Sequence, residues 1–300
     1  MNNSDSFFCF IADTFRGDSL SIENRLSVYV NLLKSGLTNK SEDLLGIDLG
    51  SGRGEWLNLL ANNNIACIGI DNNIALNQII SNNKIKKGDL LIELSKYPDN
   101  SFDFITAFHV VEHMSIDKIL KLFNLAYQKL KNNGIFIIET PNIENLMVST
   151  KSFYYDPSHV TKLPNQLLIT IFNYFKFDNI QFFRLNQNNN ISELTISLKD
   201  IICEVSPDYS VIGFKDGISK KIDSNEFNNI IKNNSGYSLE YLILLYEKNN
   251  ENLKNQISNL RLELINSFNK IIDLEIKINK LNFLIRLSEK LKKLLKYIQR

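Results

Sequence analysis

The sequence has few cysteines and no hydrophobic run long enough to cross a membrane. Its three cysteines, Cys9, Cys67 and Cys203, are far apart, and their spacing fits neither a zinc site nor a disulfide framework. Isolated thiols of this kind are typical of a reducing compartment, where a buried cysteine packs as a small apolar residue. The start of the chain also lacks the basic segment and long apolar core of a secretory signal. We therefore expect a cytoplasmic protein, with or without peripheral contact to the inner face of the membrane.

An excess of charge of either sign is also lacking. The chain of 300 residues carries 34 Lys and Arg against 33 Asp and Glu, a formal net charge of +1. Binding to nucleic acid depends on a strong positive field, so this balance argues against a nucleic-acid partner. With 44% hydrophobic and 22% charged residues, the composition is that of an ordinary globular protein. The length suggests about two structural units.

Strand-like and helix-like segments alternate through the first two thirds of the chain. Nearly continuous apolar runs predict strands at residues 44–48, 65–70, 84–87, 102–107, 134–139, 180–185 and 209–214. Helical spacing of apolar residues predicts helices at residues 19–36, 55–62, 74–81, 116–130 and 164–174. This alternation is typical of a doubly wound α/β protein with a mostly parallel, Rossmann-like sheet of seven strands. We expect the last two strands to pair with each other at one edge.

The chain from residue 239 onward has neither glycine nor proline and follows a heptad pattern. The a positions are Ile257, Leu264, Ile271, Ile278 and Ile285, and the d positions are Leu260, Ser267, Leu274, Leu281 and Ser288. β-Branched residues at a with leucine at d favour a parallel two-stranded coiled coil, which serine at two d positions weakens. The alternative is a long helix that folds back on the globular part. The basic amphipathic end at 286–300 suits a solvated face of the coil or an anionic membrane surface.

These patterns divide the chain into four segments. They are an N-terminal helical cap at 1–40, an α/β domain at 41–216, a polar, asparagine-rich linker at 217–238 and a coiled coil at 239–300.

A glycine-rich loop follows the first predicted strand and leads into the helix at 55–62. It consists of Gly50, Ser51, Gly52, Arg53 and Gly54. Glycines at such a junction let the backbone turn tightly and approach a bound ligand closely. Asp48, two residues before the first of these glycines, would repel a pyrophosphate but suits a ligand that carries an ammonium group.

Two acidic residues follow later strands, where a nucleoside would need them. Asp71 ends the second strand about 20 residues after the first loop glycine, where a carboxylate can bind ribose hydroxyls. Asp89 follows the third strand and can meet the edge of an adenine ring. Either acid alone is more often a solvated loop residue. Together with the glycine loop, they indicate a cofactor that contains a nucleoside.

With these residues, the chain resembles the class I S-adenosylmethionine-dependent methyltransferases over residues 12–216. The resemblance implies an enzyme with S-adenosylmethionine as cofactor and a methyltransferase domain at 41–216. It also implies that Asp48 and the loop residues Gly50, Ser51, Gly52, Arg53 and Gly54 frame the methionine part of the cofactor. Asp71 would hold the ribose and Asp89 the adenine, with Phe108 and His109 beside the cofactor.

A narrower resemblance comes from short segments at residues 15–17, 106–114, 139–142, 156–159 and 208–212. Together they are similar to bacterial methyltransferases found with glycosyltransferases of surface polysaccharides of the O-antigen type, several of which also carry a coiled coil. This resemblance implies O-methylation of a sugar in a bacterial surface glycan or its precursor. It also implies a glycosyltransferase partner, or a homo-oligomer formed through the coil. Two other hypotheses stand beside it: an inactive methyltransferase-fold scaffold whose coil binds partners, and a methyltransferase for a small metabolite or quinone.

All three histidines of the chain, His109, His113 and His159, fall in these segments. A sugar hydroxyl is a weak nucleophile, so a base assists its attack on the methyl group, and imidazole suits that role near neutral pH. We expect His113 or His159 to be the base and His109 to lie beside the cofactor, with Glu112 or Asp156 orienting the imidazole. For each histidine, the alternative is a structural residue held by hydrogen bonds.

Residues 109–113 also match the His-x-x-Glu-His pattern of some zinc proteases, which requires a helix and a third ligand downstream. The position of the motif directly after the fourth strand of a cofactor domain argues against proteolysis. We expect no metal, with a divalent cation at Glu112, His113 and His159 as a minor alternative. Basic residues that can meet a phosphate on the acceptor, or else serve as surface and packing cations, are Arg16, Arg53, Lys162 and Arg184.

Overall fold

A computed structural model of the chain describes residues 7, 10–11, 14–15, 17–37, 44–73, 85–187, 191–192, 195–216 and 224–298. Its strands are β1 (Leu45–Leu49), β2 (Ala66–Asp71), β3 (Ile85–Lys87), β4 (Phe102–Phe108), β5 (Leu130–Pro141), β6 (Phe177–Leu185) and β7 (Asp208–Lys215). Its helices are α1 (Ser19–Gly36), α2 (Glu55–Asn62), α3 (Leu90–Ser95), α4 (Ile116–Lys129), α5 (Leu146–Thr150), α6 (Asn165–Tyr174), α7 (Leu198–Cys203), α8 (Ser224–Asn234) and α9 (Leu239–Ile298). Val111–His113 and Ser152–Tyr155 form short 3₁₀ turns.

The seven strands form one sheet in the order β3-β2-β1-β4-β5-β7-β6. Strands β1 to β5 pair in parallel. Strand β7 runs antiparallel to both of its neighbours, β5 and β6. The predicted doubly wound, mostly parallel sheet of seven strands is confirmed, and the last two strands pair at one edge as expected. The carboxyl ends of β1, β2 and β4 lie side by side, so the loops after these strands meet at one edge of the sheet.

Helices bury apolar residues against both faces of the sheet. On one face, α4 and α6 contribute Phe123 and Phe172 to the core. On the other face, α1, α2 and α8 contribute Leu33, Trp56 and Phe227. Strand β4 is buried at every residue, as expected for a strand with helices on both sides. Its continuous apolar run therefore reflects its central position in the sheet.

The shortest helices have no clear signal in the sequence. Helices α3, α5 and α7 have only five or six residues, too few to show a helical period in the sequence. Strand β5 begins at Leu130, earlier than the predicted residue 134, because the polar residues after Leu130 also belong to the strand. The predicted helix at 74–81 lies outside the described residues.

The chain consists of two compact units, one ending at Ile243 and the other beginning at Leu244. The first unit includes helix α8, which lies within the predicted linker and buries Phe227 and Ile231 in the core. The second unit is the remainder of α9, a helix of 60 residues whose apolar side chains, including Ile271 and Leu274, are exposed. Among the described residues, no helix combines the length and the apolar character that crossing a bilayer requires.

Candidate active site

A cavity of about 930 Å³ opens at the carboxyl edge of the sheet. This is the edge at which open α/β sheets bind their ligands. The predicted site residues that line it are Asp48, Gly50, Ser51, Gly52, Asp71, Asp89, Phe108, His109, His113, Asp156 and His159. The structure thus brings together residues from five separate segments of the sequence. The predicted residues Arg53, Gly54 and Glu112 are not part of the cavity lining.

The glycine loop is held against the end of β2. The backbone N–H groups of Gly50 and Ser51 both donate to the carbonyl of Ile70, at 2.8 and 3.1 Å. Gly50 has a φ of +76°, and a Cβ atom at this position would lie 2.4 Å from Cγ2 of Val110. Both the backbone conformation and the close approach of Val110 therefore require glycine at position 50.

Asp48 presents a buried carboxylate to the cavity. Its Oδ1 accepts a hydrogen bond from the Thr106 hydroxyl at 2.7 Å. The Thr106 hydroxyl in turn accepts one from the indole N–H of Trp56 at 3.1 Å. This chain of hydrogen bonds orients the carboxylate, which suits an ammonium group because a buried charge is stabilised by an opposite one.

Asp71 connects the end of β2 to the glycine loop. Its Oδ2 accepts from the backbone N–H of Gly52 at 2.8 Å, and its Oδ1 accepts from that of Asn73 at 2.7 Å. These bonds hold the carboxylate at the cavity wall, where its remaining lone pairs can accept from hydroxyl groups of a ligand.

Asp89 caps the amino terminus of α3, a helix that the sequence patterns did not predict. Its Oδ1 accepts from the backbone N–H groups of Leu91 and Ile92, at 2.9 and 3.1 Å. Only one of its two carboxylate oxygens takes part in these bonds. Asp89 therefore has a structural role in addition to its place on the cavity wall.

Ser51 and Arg53 stabilise the loop itself. The Ser51 hydroxyl donates to the carbonyl of Asp48 at 3.0 Å. Arg53 pairs with Glu55 at 2.7 Å and donates to the carbonyl of Gly17 at 3.0 Å. The guanidinium group thus ties the glycine loop to the segment before α1, and Arg53 remains a predicted cofactor residue without a position on the cavity wall.

His109 lies among three carboxylates at the end of β4. Its Nδ1 is 3.3 Å from Oε1 of Glu112, and its Nε2 is 3.3 Å from Oε1 of Glu139 and 3.8 Å from Oδ1 of Asp208. Burial opposes the charged imidazole, but the contacts with Glu112 and Glu139 and the charge of Asp208 raise the pKa of His109 to about 10. The imidazole is therefore protonated near neutral pH and cannot accept a proton from an acceptor hydroxyl.

The carboxylates around His109 have fixed positions of their own. Glu112 is fully buried, and although burial acts in the opposite direction, the contact with His109 lowers its pKa to about 2. Its Oε2 accepts from the Thr140 hydroxyl at 3.0 Å. Glu139 accepts a short hydrogen bond from the buried phenol of Tyr29. Burial raises the pKa of Asp208, whose Oδ2 accepts from Asn186 at 2.6 Å.

The sequence patterns assigned no site role to three residues of this network, Tyr29, Glu139 and Asp208. Glu139 and Asp208 carry a detectable signal, since each is a charged residue at the end of an apolar strand. Tyr29 carries none, because its spacing within α1 is that of an ordinary core residue. Only the folded chain brings Tyr29 to the carboxyl edge of the sheet.

His113 and His159 form a pair in the lining of the cavity, with ring centroids 4.6 Å apart. The Nδ1 atom of His113 is 2.8 Å from the Ser158 hydroxyl, which itself donates to Asp156 at 2.5 Å. The Nδ1 atom of His159 is 2.6 Å from the carbonyl of Phe153. Because each Nδ1 faces an acceptor, both neutral rings carry the proton on Nδ1 and leave the lone pair on Nε2.

The charge state of His113 differs from that of His109. Burial lowers the pKa of His113 below its ordinary value, and the neighbouring His159 acts in the same direction. Asp156 reaches His113 through Ser158. The backbone N–H groups of Val160 and Thr161 donate to the carbonyl of Glu112 at 2.8 and 3.0 Å, so the two histidine-bearing segments are joined.

The other basic candidates for a phosphate are engaged elsewhere. Arg184 makes two hydrogen bonds to Glu144, at 2.7 and 2.8 Å. Lys162 donates to the carbonyl of Ser149 at 2.9 Å and to the hydroxyl of Tyr154. Arg16 lies outside the described residues. The protease pattern also lacks its helix, because residues 111–113 form a single 3₁₀ turn directly after β4.

Comparison with known proteins agrees with this geometry. Residues 27–183, just over half of the chain, match the sequence family described as a methyltransferase domain. The chain belongs to this family. Methyltransferases of this fold take the methyl group from S-adenosylmethionine, and the cavity meets the needs of that cofactor with a buried carboxylate for the ammonium group and a loop that admits close backbone approach.

The chain is also similar to several solved structures. An S-adenosylmethionine-dependent methyltransferase from Archaeoglobus fulgidus is 26% identical with a TM-score of 0.60, over 70% of this chain and 99% of that one. A complex between the Haloferax volcanii Trm112 methyltransferase activator and a methyltransferase gives 14% identity and a TM-score of 0.50, over 71% of this chain and 97% of that one. Phosphoethanolamine N-methyltransferase 2 from Haemonchus contortus, solved with S-adenosylmethionine, is 14% identical with a TM-score of 0.47, over 69% and 59% of the two chains. No curated protein matches the chain.

Proposed function

We propose that this methyltransferase transfers the methyl group of S-adenosylmethionine to a hydroxyl of a sugar in a bacterial surface glycan or its precursor. The observation that carries the proposal is the pair His113 and His159, which lines the same cavity as the glycine loop and whose rings carry lone pairs on Nε2. Hydroxyl acceptors need such a group because the attacking oxygen must lose its proton. An amine acceptor, already nucleophilic as the free base, needs it less.

The cofactor end of the cavity contains three acids with separate roles in this proposal. Asp48 binds the ammonium group of the methionine part, Asp71 binds ribose hydroxyls and Asp89 meets the adenine. The cofactor supplies an electrophilic methyl group on a sulfonium. The glycine loop lets the backbone approach it, and the walls of the cavity exclude water and align the acceptor with the methyl group.

The acceptor end is defined by the contrast between the histidines. The raised pKa of His109, about 10, keeps that ring charged beside the cofactor, where it holds Glu112, Glu139 and Asp208 in place. His113 has a lowered pKa and is neutral near pH 7. We therefore assign activation of the acceptor hydroxyl to His113 and His159 rather than to His109.

A small-metabolite acceptor is the second candidate. Phe15 stacks on Tyr155 with ring centroids 4.9 Å apart, and both side chains line the cavity. Aromatic side chains over a cavity suit a small acceptor enclosed within it, whereas a polymer needs an open groove. The two candidates share the chemistry of transfer to oxygen and differ in the size of the acceptor.

Methyl transfer from S-adenosylmethionine with a ¹³C-labelled methyl group tests the proposal. The full chain is incubated with sugar nucleotides and oligosaccharides of surface glycans, and separately with small hydroxyl, amine and thiol metabolites. NMR of the products distinguishes O-methyl from N-methyl and S-methyl groups. We expect an O-methyl sugar, and no product from an Asp48→Asn variant, which loses the carboxylate that faces the ammonium group.

Three results would contradict the glycan proposal. Label only in small metabolites would favour the second candidate. Label on nitrogen or sulfur would contradict transfer to oxygen. Binding of S-adenosylmethionine without transfer to any acceptor would favour an inactive scaffold whose C-terminal helix binds partners.

The C-terminal helix has a separate role in the proposal. Exposed apolar residues run along α9 at the heptad positions, and such a row is typical of a helix that pairs with another. We propose that it forms a homodimer or binds a glycosyltransferase, which would deliver the glycan to the methyltransferase domain.

A further inference from the structure

Glu112, His113 and His159 converge beside the acceptor end of the cavity. Each offers one ligand atom, and these three atoms lie within 4.8 Å of one another. Two of the residues follow β4 in the sequence, and the third lies in the segment before α6. Two backbone hydrogen bonds to the carbonyl of Glu112 hold these segments together.

The two imidazoles are oriented as metal ligands usually are. A ligating histidine commonly donates its other ring N–H to a carbonyl, a carboxylate or a hydroxyl linked to one. His159 has the carbonyl of Phe153 at its Nδ1, and His113 has the Ser158 hydroxyl, which donates onward to Asp156. Both rings therefore keep their Nε2 lone pairs for a ligand.

One oxygen of the buried Glu112 carboxylate accepts no hydrogen bond from the described residues. Its Oε2 accepts from Thr140, but Oε1 is buried and accepts no hydrogen bond from any residue that the structure describes. Nδ1 of His109 makes an ion-pair contact with this oxygen at 3.3 Å. A buried polar atom without a hydrogen bond is costly, so such an atom in a native site calls for a ligand.

We propose that Glu112, His113 and His159 bind a divalent transition-metal cation. This departs from the expectation of no metal that the sequence supported. Two imidazoles and one carboxylate are a ligand set for zinc, manganese or iron(II), and three protein ligands leave coordination positions open. The three ligand atoms lie within 4.8 Å of one another, so small side-chain adjustments can bring them around one cation.

The role of the cation rests on the proposed function. The acceptor hydroxyl fills an open position, and coordination lowers its pKa. Its proton passes to water, its oxygen forms the bond to the methyl carbon, and the carbon–sulfur bond of the sulfonium breaks to release S-adenosylhomocysteine. In the cation-bound enzyme, His113 and His159 are ligands of the cation. They act on the acceptor hydroxyl through that cation.

Cation binding can be measured without any acceptor. MnCl₂ and ZnCl₂ are titrated separately into the full chain, with calorimetry for both and the electron paramagnetic resonance signal of free Mn²⁺ as a second readout. We expect one cation per chain. The variants His113→Asn and His159→Asn should lose at least tenfold in affinity, and Ser158→Ala about tenfold because it frees the His113 ring.

A matched control and a folding check accompany these variants. Glu144→Gln removes a carboxylate paired with Arg184 outside the cavity lining and should bind the cation as the wild type does. The affinity for S-adenosylmethionine should be unchanged in every variant, which shows that the fold is intact. Saturable binding of neither cation by the wild type, or equal binding by the histidine variants, would overturn the proposal.

The cation site and the proposed function fail in distinguishable ways. A cation bound as expected, with no transfer to any hydroxyl acceptor, would overturn the proposed function and support the site. Transfer to a sugar hydroxyl at full rate by chelator-treated protein that binds no cation would overturn the site and support the proposed function.

Discussion

His109 shows how far neighbouring groups determine the chemistry of a single residue. Its backbone has a φ of +54°, which is uncommon for a residue other than glycine. The backbone N–H donates to the carbonyl of Glu139 at 2.9 Å, so the tight turn after β4 is fixed on β5. That turn directs the ring toward Glu112, Glu139 and Asp208. Strain in the backbone is thus offset by contacts of a charged ring with three carboxylates.

His109 and His113 should titrate in separate ranges. Because the pKa of His109 in the folded chain is about 10, against an ordinary 6.5, its ring should stay protonated through neutral pH. His113 should lose its proton below its ordinary pKa. NMR of the imidazole groups measures both titration curves. The curve that is missing from a His109→Asn variant is that of His109. Asparagine suits this position because it tolerates a positive φ. A His109 curve with its midpoint near 6.5 would contradict the ion-pair network.

The same shift predicts a pH dependence of stability. The folded chain binds the His109 proton more tightly than the unfolded chain does, so the stabilisation is complete below about pH 6.5. It is lost as the pH rises toward 10. Urea unfolding of the wild type should therefore show a fall in the free energy of unfolding over this range that is smaller in His109→Asn. Parallel curves for the two proteins would show that the ring gains no such stabilisation.

Gly50 provides a test of the cofactor loop. In Gly50→Ala, the new Cβ would lie 2.4 Å from Val110 at a φ of +76°. Gly17→Ala is the matched control, because Gly17 has a φ of +88° but an added Cβ there meets no described atom within 4 Å. Both variants carry a backbone cost of about 1–2 kcal/mol. We expect only Gly50→Ala to displace the loop and weaken S-adenosylmethionine binding in calorimetry. Equal affinities would show that the loop tolerates the contact.

Among the elements, α3 begins at a residue that has a structural role and a proposed binding role. Asp89 caps this six-residue helix and also lines the cavity. Its position after β3 suggested a nucleoside ligand, whereas the cap became visible only with the helix. A change that keeps the cap but removes the charge can separate the two roles.

Two substitutions at Asp89 make that separation. Asp89→Ala removes the cap and should lower the free energy of unfolding by about 1 kcal/mol. Asp89→Asn keeps a capping oxygen, so its stability should be close to that of the wild type while its affinity for S-adenosylmethionine falls. Unfolding in urea measures the free energy of unfolding, and calorimetric titration measures the affinity for S-adenosylmethionine. If Asp89→Asn bound the cofactor normally, Asp89 would be a helix cap alone.

At the scale of the whole molecule, the proposed pairing of α9 depends on which of its exposed apolar residues face a second helix. Ile271 and Ile272 are 53% and 52% exposed, so exposure does not distinguish them. The heptad pattern does, because Ile271 and Ile278 fall at a positions whereas Ile272 and Ile276 fall outside the a and d positions. A row of apolar residues at a and d is buried only when a second helix covers it.

Sedimentation of the full chain tests this distinction. We expect the wild type to be a dimer and the double variant Ile271→Asp with Ile278→Asp to be a monomer. The control, Ile272→Asp with Ile276→Asp, adds the same charges outside the seam and should remain a dimer. A monomeric wild type, or equal behaviour of both variants, would contradict pairing through this register.

Local patterns in the sequence were sufficient to predict the strands of the sheet and the glycine-rich loop. Apolar runs and helical spacing depend on neighbours a few residues away, so the strands from β1 to β7 and the long helices were predictable. The glycine loop was equally predictable, because the positive φ of Gly50 is a requirement of the backbone within its own segment. The order of the strands, with β7 between β5 and β6, carried no such local signal.

The chemistry of the histidines was decided by the tertiary structure. The sequence places all three in two short motifs and predicts His113 or His159 as the base, but it does not show their charge states or tautomers. The fold surrounds His109 with carboxylates from β5, β7 and the turn after β4, which makes it a fixed cation. It gives His113 and His159 hydroxyl and carbonyl partners at Nδ1, so the neutral form of each ring has its lone pair on Nε2. Charge and tautomer depend on groups within a few ångströms in space, whatever their separation along the chain.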